Sequence, residues 1–134
     1  MEEKLDKILN LLDNLSSESA RGVLIIVEGK KDVECLHELE IEGDIIAVKA
    51  KGRNSSDRLS EIEERAEDEV ILLLDFDRRG REMTKYLTQR FEEMKIRSNI
   101  TFWKELSALL RRDVKDIEGL PAYIETLRRK IGKI

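Results

Sequence analysis

Twice in this chain a run of five aliphatic residues stops abruptly at an acid. Val23-Leu24-Ile25-Ile26-Val27 ends at Glu28, and Val70-Ile71-Leu72-Leu73-Leu74 ends at Asp75. Unbroken runs of this length, rich in β-branched side chains, suit strands covered on both faces, as in a parallel sheet. A second feature reinforces that reading. The segments between the runs carry apolar residues at helical spacing, as in Lys30–Glu40 with Val33, Leu36 and Leu39. Strands alternating with helices imply parallel strands joined by right-handed crossovers.

The remaining elements follow the same logic. Leu5, Ile8, Leu9, Leu12 and Leu15 form an apolar stripe on an N-terminal helix. That stripe must pack on its own chain or on a partner, either another protein or a second copy. Ile45–Val48 reads as a second strand, followed by a turn at Lys51-Gly52-Arg53-Asn54, with Ser55, Ser56 or Asp57 available to cap a helix reaching about Asp68. Asp75–Gly80 reads as a loop, Arg81–Met94 as a helix and Ile96–Thr101 as a fourth strand. The rest is helical, with a break at Gly119-Leu120-Pro121 and Pro121 in the first turn of a last helix. The expected organisation is an N-terminal helix over residues 1–20 and one α/β domain with a C-terminal helical extension over residues 21–134.

Composition narrows the chemistry. With one cysteine, Cys35, and one histidine, His37, the 134 residues allow neither an internal disulfide nor a zinc cage built on those side chains. No apolar stretch is long enough to span a bilayer and no leader precedes a cleavage site, so a cytoplasmic protein without a membrane partner is expected. Charged residues make up 40% of the chain, with the excess in Glu, Lys and Arg, a bias that resembles proteins built for high temperature. The net charge is −4, so any hold on nucleic acid must come from a local basic patch rather than from the whole molecule.

In open α/β sheets, ligands bind beyond the carboxyl ends of the strands, where the strand order reverses. If the first and third strands are neighbours, Glu28, Asp75 and Asp77 converge on one crevice. Like charges brought that close repel unless a cation holds them. An all-carboxylate site suits Mg²⁺, with Mn²⁺ as a substitute, because such ions keep open positions for phosphate oxygens. Lys30, Lys31, Arg78, Arg79 and Arg81 surround the acids in sequence, and Lys49, Lys51, Arg53 and Asn54 follow the second strand onto the same edge. These are the expected phosphate-binding groups. Gly29 and Gly80 would let the backbone approach a ligand closely. The competing account is that acids after strands serve as helix caps or solvated loop residues.

The segments Val27-Glu28-Gly29-Lys30-Lys31-Asp32 and Leu74-Asp75-Phe76-Asp77-Arg78-Arg79-Gly80 resemble the two motifs of the Toprim domain. The resemblance runs over roughly Gly22 to Thr101. It implies a compact Rossmann-like fold, a four-stranded, mainly parallel sheet flanked by helices. It also implies Glu28 as general acid or base, and Asp75 and Asp77 as Mg²⁺ ligands. Among Toprim proteins, a topoisomerase needs a tyrosine on a second domain, and Arg81 stands where the type IA enzymes have a further acid. A bacterial-type primase needs a larger body. The 5S ribosomal RNA maturase and related nucleases are the nearest functional analogues. The resemblance therefore implies a Mg²⁺-dependent activity on RNA or DNA phosphodiesters, in RNA processing or DNA repair. The alternatives are a non-catalytic module that binds nucleic acid or a nucleotide, and a plain α/β domain with structural carboxylates.

Several residues carry weaker expectations. His37 reads as a surface residue, Cys35 as semi-buried, and Trp103 as a core anchor at the end of the fourth strand. Asp113, Asp116 and Glu118 read as solvated helix-end residues, and Arg128, Arg129, Lys130 and Lys133 either as groups that touch phosphate or as ones that suit a helix C-terminus.

Overall fold

A computed structural model describes residues 2–49, 55–110 and 112–132. The elements run α1 (Glu2–Ala20), β1 (Leu24–Val27), α2 (Lys30–Glu38), β2 (Ile45–Ala47), α3 (Ser55–Arg65), β3 (Glu69–Leu72), α4 (Arg78–Glu93), β4 (Arg97–Asn99), α5 (Thr101–Leu110), a 3-10 turn (Ile117–Gly119) and α6 (Leu120–Lys130). The four strands form one parallel sheet in the order β2-β1-β3-β4. Ile26 stands opposite both Ile46 and Leu72, so β1 lies between β2 and β3. The chain turns one way from β1 to β2 and the other way to reach β3. The strand order therefore reverses between β1 and β3.

The aliphatic runs are continuous because the sheet is covered twice. Ile25, Val27, Ile71 and Leu73 face a core shared with α1, α2, α5 and α6. Their neighbours Leu24, Ile26, Val70, Leu72 and Leu74 face a second core with Leu59 and Ile62 of α3 and with Leu87 and Phe91 of α4. Strand side chains alternate between faces, so each run needs apolar residues at every position.

Helix α1 lays its stripe on its own chain. Leu5, Ile8, Leu12 and Leu15 are buried in the first core with Phe102, Leu106 and Leu110 of α5 and Ile124 and Leu127 of α6. An ion pair from Lys4 to Asp113 at 3.0 Å pins the helix near its start, and Tyr123 donates to the same carboxylate at 3.0 Å.

The expected boundaries shift where caps act. Helix α4 begins at Arg78 rather than Arg81, because Asp77 caps it by accepting from the Gly80 N–H at 2.8 Å. Arg78, Arg79, Gly80 and Arg81 thus form the first turn of a helix, not a loop. Strand β4 stops at Asn99, whose side-chain oxygen accepts from Thr101 N–H at 3.0 Å and turns the chain into α5. Phe102 and Trp103 consequently sit on a helix instead of a strand end. Among the described residues, no helix is long and apolar enough to cross a membrane.

Candidate metal and phosphate site

Glu28 follows β1 and Asp75 follows β3, and adjacent parallel strands deliver both to the carboxyl edge where the order reverses. There they line an open cleft of about 330 Å³ with Gly29, Lys30, Lys31, Asp32, Lys49, Asp77, Arg79, Asp116 and Glu118.

Glu28 is 8% exposed, an unusual depth for a carboxylate. Lys49, just beyond β2, donates to its Oε1 at 2.9 Å. Oε2 is buried and faces no N–H or hydroxyl donor. Its carboxylate neighbour is Asp75, and each shifts the ionisation of the other. Two carboxyls can hydrogen-bond to one another only when one keeps its proton. Burial, and then the Glu28 carboxylate beside it, push Asp75 up to about 8. Asp75 holds Glu28 below the usual carboxylate range, with Lys49 and Arg79 adding to it against the opposing effect of burial.

The loop that carries Asp75 is clamped from several sides. The Trp103 indole Nε1 donates to the Asp75 carbonyl at 3.2 Å. The next residue, Phe76, is buried and donates its N–H to the Lys115 carbonyl at 2.7 Å. Gly80 packs so closely that a Cβ there would collide with the Asp75 carbonyl group. The expected role of Gly80 is thereby corrected: the backbone that approaches it belongs to Asp75. Gly29 does line the cleft, in ordinary extended conformation, and a Cβ there would meet only the Asp32 carboxylate at 3.8 Å.

The other expected site residues divide. Lys30, Lys31, Arg79 and Asp77 line the cleft. Arg78 and Arg81 do not, and Arg78 instead pairs with Glu82 one helical turn on, at 3.2 Å. Lys51, Arg53 and Asn54 lie outside the described residues. Asp77 serves as a cap through Oδ1, so the capping account of acids after strands holds for that oxygen. Among the described residues, no three acidic, histidine or cysteine side chains stand together as a ready-made ion cage.

Three acids of the cleft escaped the sequence reading. Asp32 is 7% exposed and accepts from the Gly29 N–H at 3.0 Å; burial raises its pKa against that bond, with Asp116, Glu28 and Glu118 adding to the rise. Asp116 and Glu118, expected as solvated helix ends, line the cleft from the far end of the chain. Asp116 caps the 3-10 turn by accepting from Gly119 N–H at 2.9 Å, and Glu118 lies 4.0 Å from Lys31. Asp32 could have been found from its place in the first motif. For Asp116 and Glu118 the sequence holds no such signal.

The carboxylate pair fits a divalent cation. A buried Oε2 without a donor, beside a carboxyl that otherwise favours its proton, is the arrangement a cation resolves by replacing that proton.

A parallel sheet with reversing strand order, and an acidic pair at the reversal ringed by lysine and arginine, defines an α/β domain of the Toprim type. The Toprim domain family model matches residues 22–101, and the chain belongs to that family. It is similar to archaeal relatives that bear the name UPF0292 protein. It is 35% identical to UPF0292 protein Mbar_A0484 of Methanosarcina barkeri over 131 residues, which span 97% of this chain and 89% of that one. It is 38% identical to UPF0292 protein MJ1624 of Methanocaldococcus jannaschii over 124 residues, spanning 92% of this chain and 94% of that one. A solved structure described as a putative protein from Aquifex aeolicus superposes with a TM-score of 0.69 at 23% identity, covering 83% of this chain and 95% of that one, and shares its fold. Family membership gives the chain a nucleic-acid-related, metal-binding role.

Proposed function

We propose that the cleft holds Mg²⁺ through Glu28 and Asp75, with the free oxygen of Asp77 completing the set, and that the protein hydrolyses nucleic-acid phosphodiesters there. The observation that carries this reading is the buried Glu28, whose Oε2 has no hydrogen-bond partner among the described residues, beside Asp75 in the cleft at the strand-order reversal. When bound, Mg²⁺ supplies neutralisation of the phosphate charge and polarisation of its oxygens. Arg79 and Lys30 stand at the rim to orient a phosphate, Arg with its planar fork and Lys as a point charge. Lys49 holds Glu28 in one orientation by the 2.9 Å bond. Once a phosphate competes for Lys49, Glu28 loses that partner and becomes the stronger base, suited to taking a proton from an attacking water. The same residues serve RNA or DNA.

The direct test is incubation of the purified protein with structured and single-stranded RNA and DNA in Mg²⁺, in Mn²⁺ and in chelator. Metal-dependent cleavage that disappears in Glu28→Gln and in Asp75→Asn is expected. Absence of cleavage on every substrate with either metal removes the hydrolytic reading.

One observation favours a second reading, a module that grips nucleic acid without turnover. Glu28 is held below the usual carboxylate range by Asp75 and by Lys49, which makes it a weak base in this state. Metal-dependent binding with no product over long incubation would support that version.

A further inference from the structure

We propose that the turn at residues 116–118 makes the cleft selective for the end of a nucleic-acid strand. Asp116 and Glu118 form an acidic wall, so a phosphodiester chain reaches Glu28 and Asp75 from the Lys49 and Arg79 side and terminates there. The inference rests on the phosphate reading above and names its substrate class.

The argument begins with the two faces of the sheet. Helix α2 and the segment around Ile117 belong to the core on one face, and α4 belongs to the core on the other. The cleft at the sheet edge therefore has two unlike sides. On the α4 side stands Arg79, and at the end of β2 stands Lys49. On the α2 side stand Asp116 and Glu118, above the buried Asp32. Two cations of α2 stand on that side: Lys31 faces Glu118 at 4.0 Å and is partly neutralised by it, and Lys30 is outnumbered by the acids Asp32, Asp116 and Glu118 that line the cleft with it. The two carboxylates at 116 and 118 come from outside the segment that matches the family model, residues 22–101.

A continuous strand passing through the cleft would place phosphates on both sides of the reacting one. On the Asp116 side each such phosphate would meet carboxylates in a setting where water screens them incompletely. A strand that ends at the cleft avoids that repulsion. The site also has something for the terminal group to satisfy. Glu28 Oε2 is buried, borders the cleft and has no donor among the described residues, so a cation or a hydroxyl carried in with a strand end would supply its missing partner. A cleft of about 330 Å³ lies at the small-ligand end of the usual range and suits a terminal nucleotide better than a duplex groove.

The decisive comparison uses one RNA sequence and one DNA sequence, each as a 5′-phosphorylated linear single strand and as the covalently closed circle. Binding to the full chain is read by gel shift in Mg²⁺ and in chelator. The linear form of at least one of the two is expected to bind about tenfold more tightly than its circle. In the Asp116→Asn/Glu118→Gln double variant the circle gains affinity and the ratio narrows. Asparagine also caps helical turns, so this variant keeps the Gly119 contact while losing charge. Equal affinity for line and circle in the wild-type protein, or an unchanged ratio in a folded double variant, overturns the inference and leaves the phosphate reading standing. Failure to bind either form of either nucleic acid overturns both. If the double variant does not fold, the wild-type ratio decides alone.

Discussion

Glu28 and Asp75, delivered by neighbouring parallel strands, stand together at the carboxyl edge of the sheet, where each shifts the ionisation of the other. The pair exists because the fold forces two acids together, and burial, with Glu28 beside it, favours a retained proton on Asp75. Stability, metal affinity and pH response are therefore coupled through one contact.

The first prediction concerns pH. Asp75 is pushed up to about 8, well above its value in an unfolded chain. Between the ordinary carboxylate range and about pH 8, the folded protein keeps a proton that the unfolded chain has released. Its contribution is fully present below the unfolded pKa and is lost as pH rises through the folded one. Glu28 shifts the other way, in the acid range, so its effect lies outside this window. Thermal unfolding in chelator should give a higher Tm near pH 6 than near pH 9. Asp75→Asn should flatten the difference, and Mg²⁺ should raise Tm most at the alkaline end. A metal-free Tm that climbs with pH across this window would contradict the retained proton.

Gly80 supplies the second prediction. A methyl group there collides with the Asp75 carbonyl, which is backbone and cannot swing aside. Gly80→Ala should cost about 3 kcal/mol, the upper end for overpacking, and should displace the Asp75 loop. Urea unfolding reads the cost and Mn²⁺ titration reads the displacement. A loss under about 0.5 kcal/mol with Mn²⁺ affinity intact would show that the loop tolerates movement.

Trp103 acts on the same loop from the opposite side. Its indole donates to the Asp75 carbonyl at 3.2 Å, so it positions a ligand that it does not itself touch. Trp103→Phe keeps the aromatic ring and removes the donor. About 1 kcal/mol of stability should be lost, and Mn²⁺ affinity should fall by about tenfold. Trp103→Ala should lose more stability through packing. Equal Mn²⁺ affinity in wild type and Trp103→Phe would confine the tryptophan to a packing role.

Helix α1 yields a fourth prediction. Ile8 has no exposed surface and packs in the core formed with α5 and α6. Ile8→Ala should destabilise the protein by about 2–5 kcal/mol, and a chain lacking α1 should unfold more easily rather than merely lose a partner. Denaturant midpoints test this. A truncated chain as stable as the full one would mean that the stripe is idle within its own fold.

Much of the scaffold was legible in residue order. The aliphatic runs at Val23–Val27 and Val70–Leu74 announced double-sided strands, and the stripe from Leu5 to Leu15 announced an amphipathic helix. Local signals failed where polar side chains made short-range choices. Residue order leaves Asp77 open between metal ligand and helix cap, and its Oδ1 takes the cap by accepting from the Gly80 N–H. Asn99 ended the fourth strand early and moved Trp103 onto a helix, where its indole reaches Asp75.

Sequence alone determined the elements, the nature of the acids at their ends and the family pattern, because periodicity and strand-end position are local properties of a chain. Tertiary structure alone decided that β1 lies beside β3, which brings the Glu28 and Asp75 carboxyls into one cleft. It also decided that Asp116 and Glu118 reach the same cleft, and that Lys49 rather than Arg78 or Arg81 pairs with Glu28. Those outcomes depend on which strands pair and which helices share a face. They are set by burying apolar surface on both sides of the sheet, and no short stretch of residues encodes them.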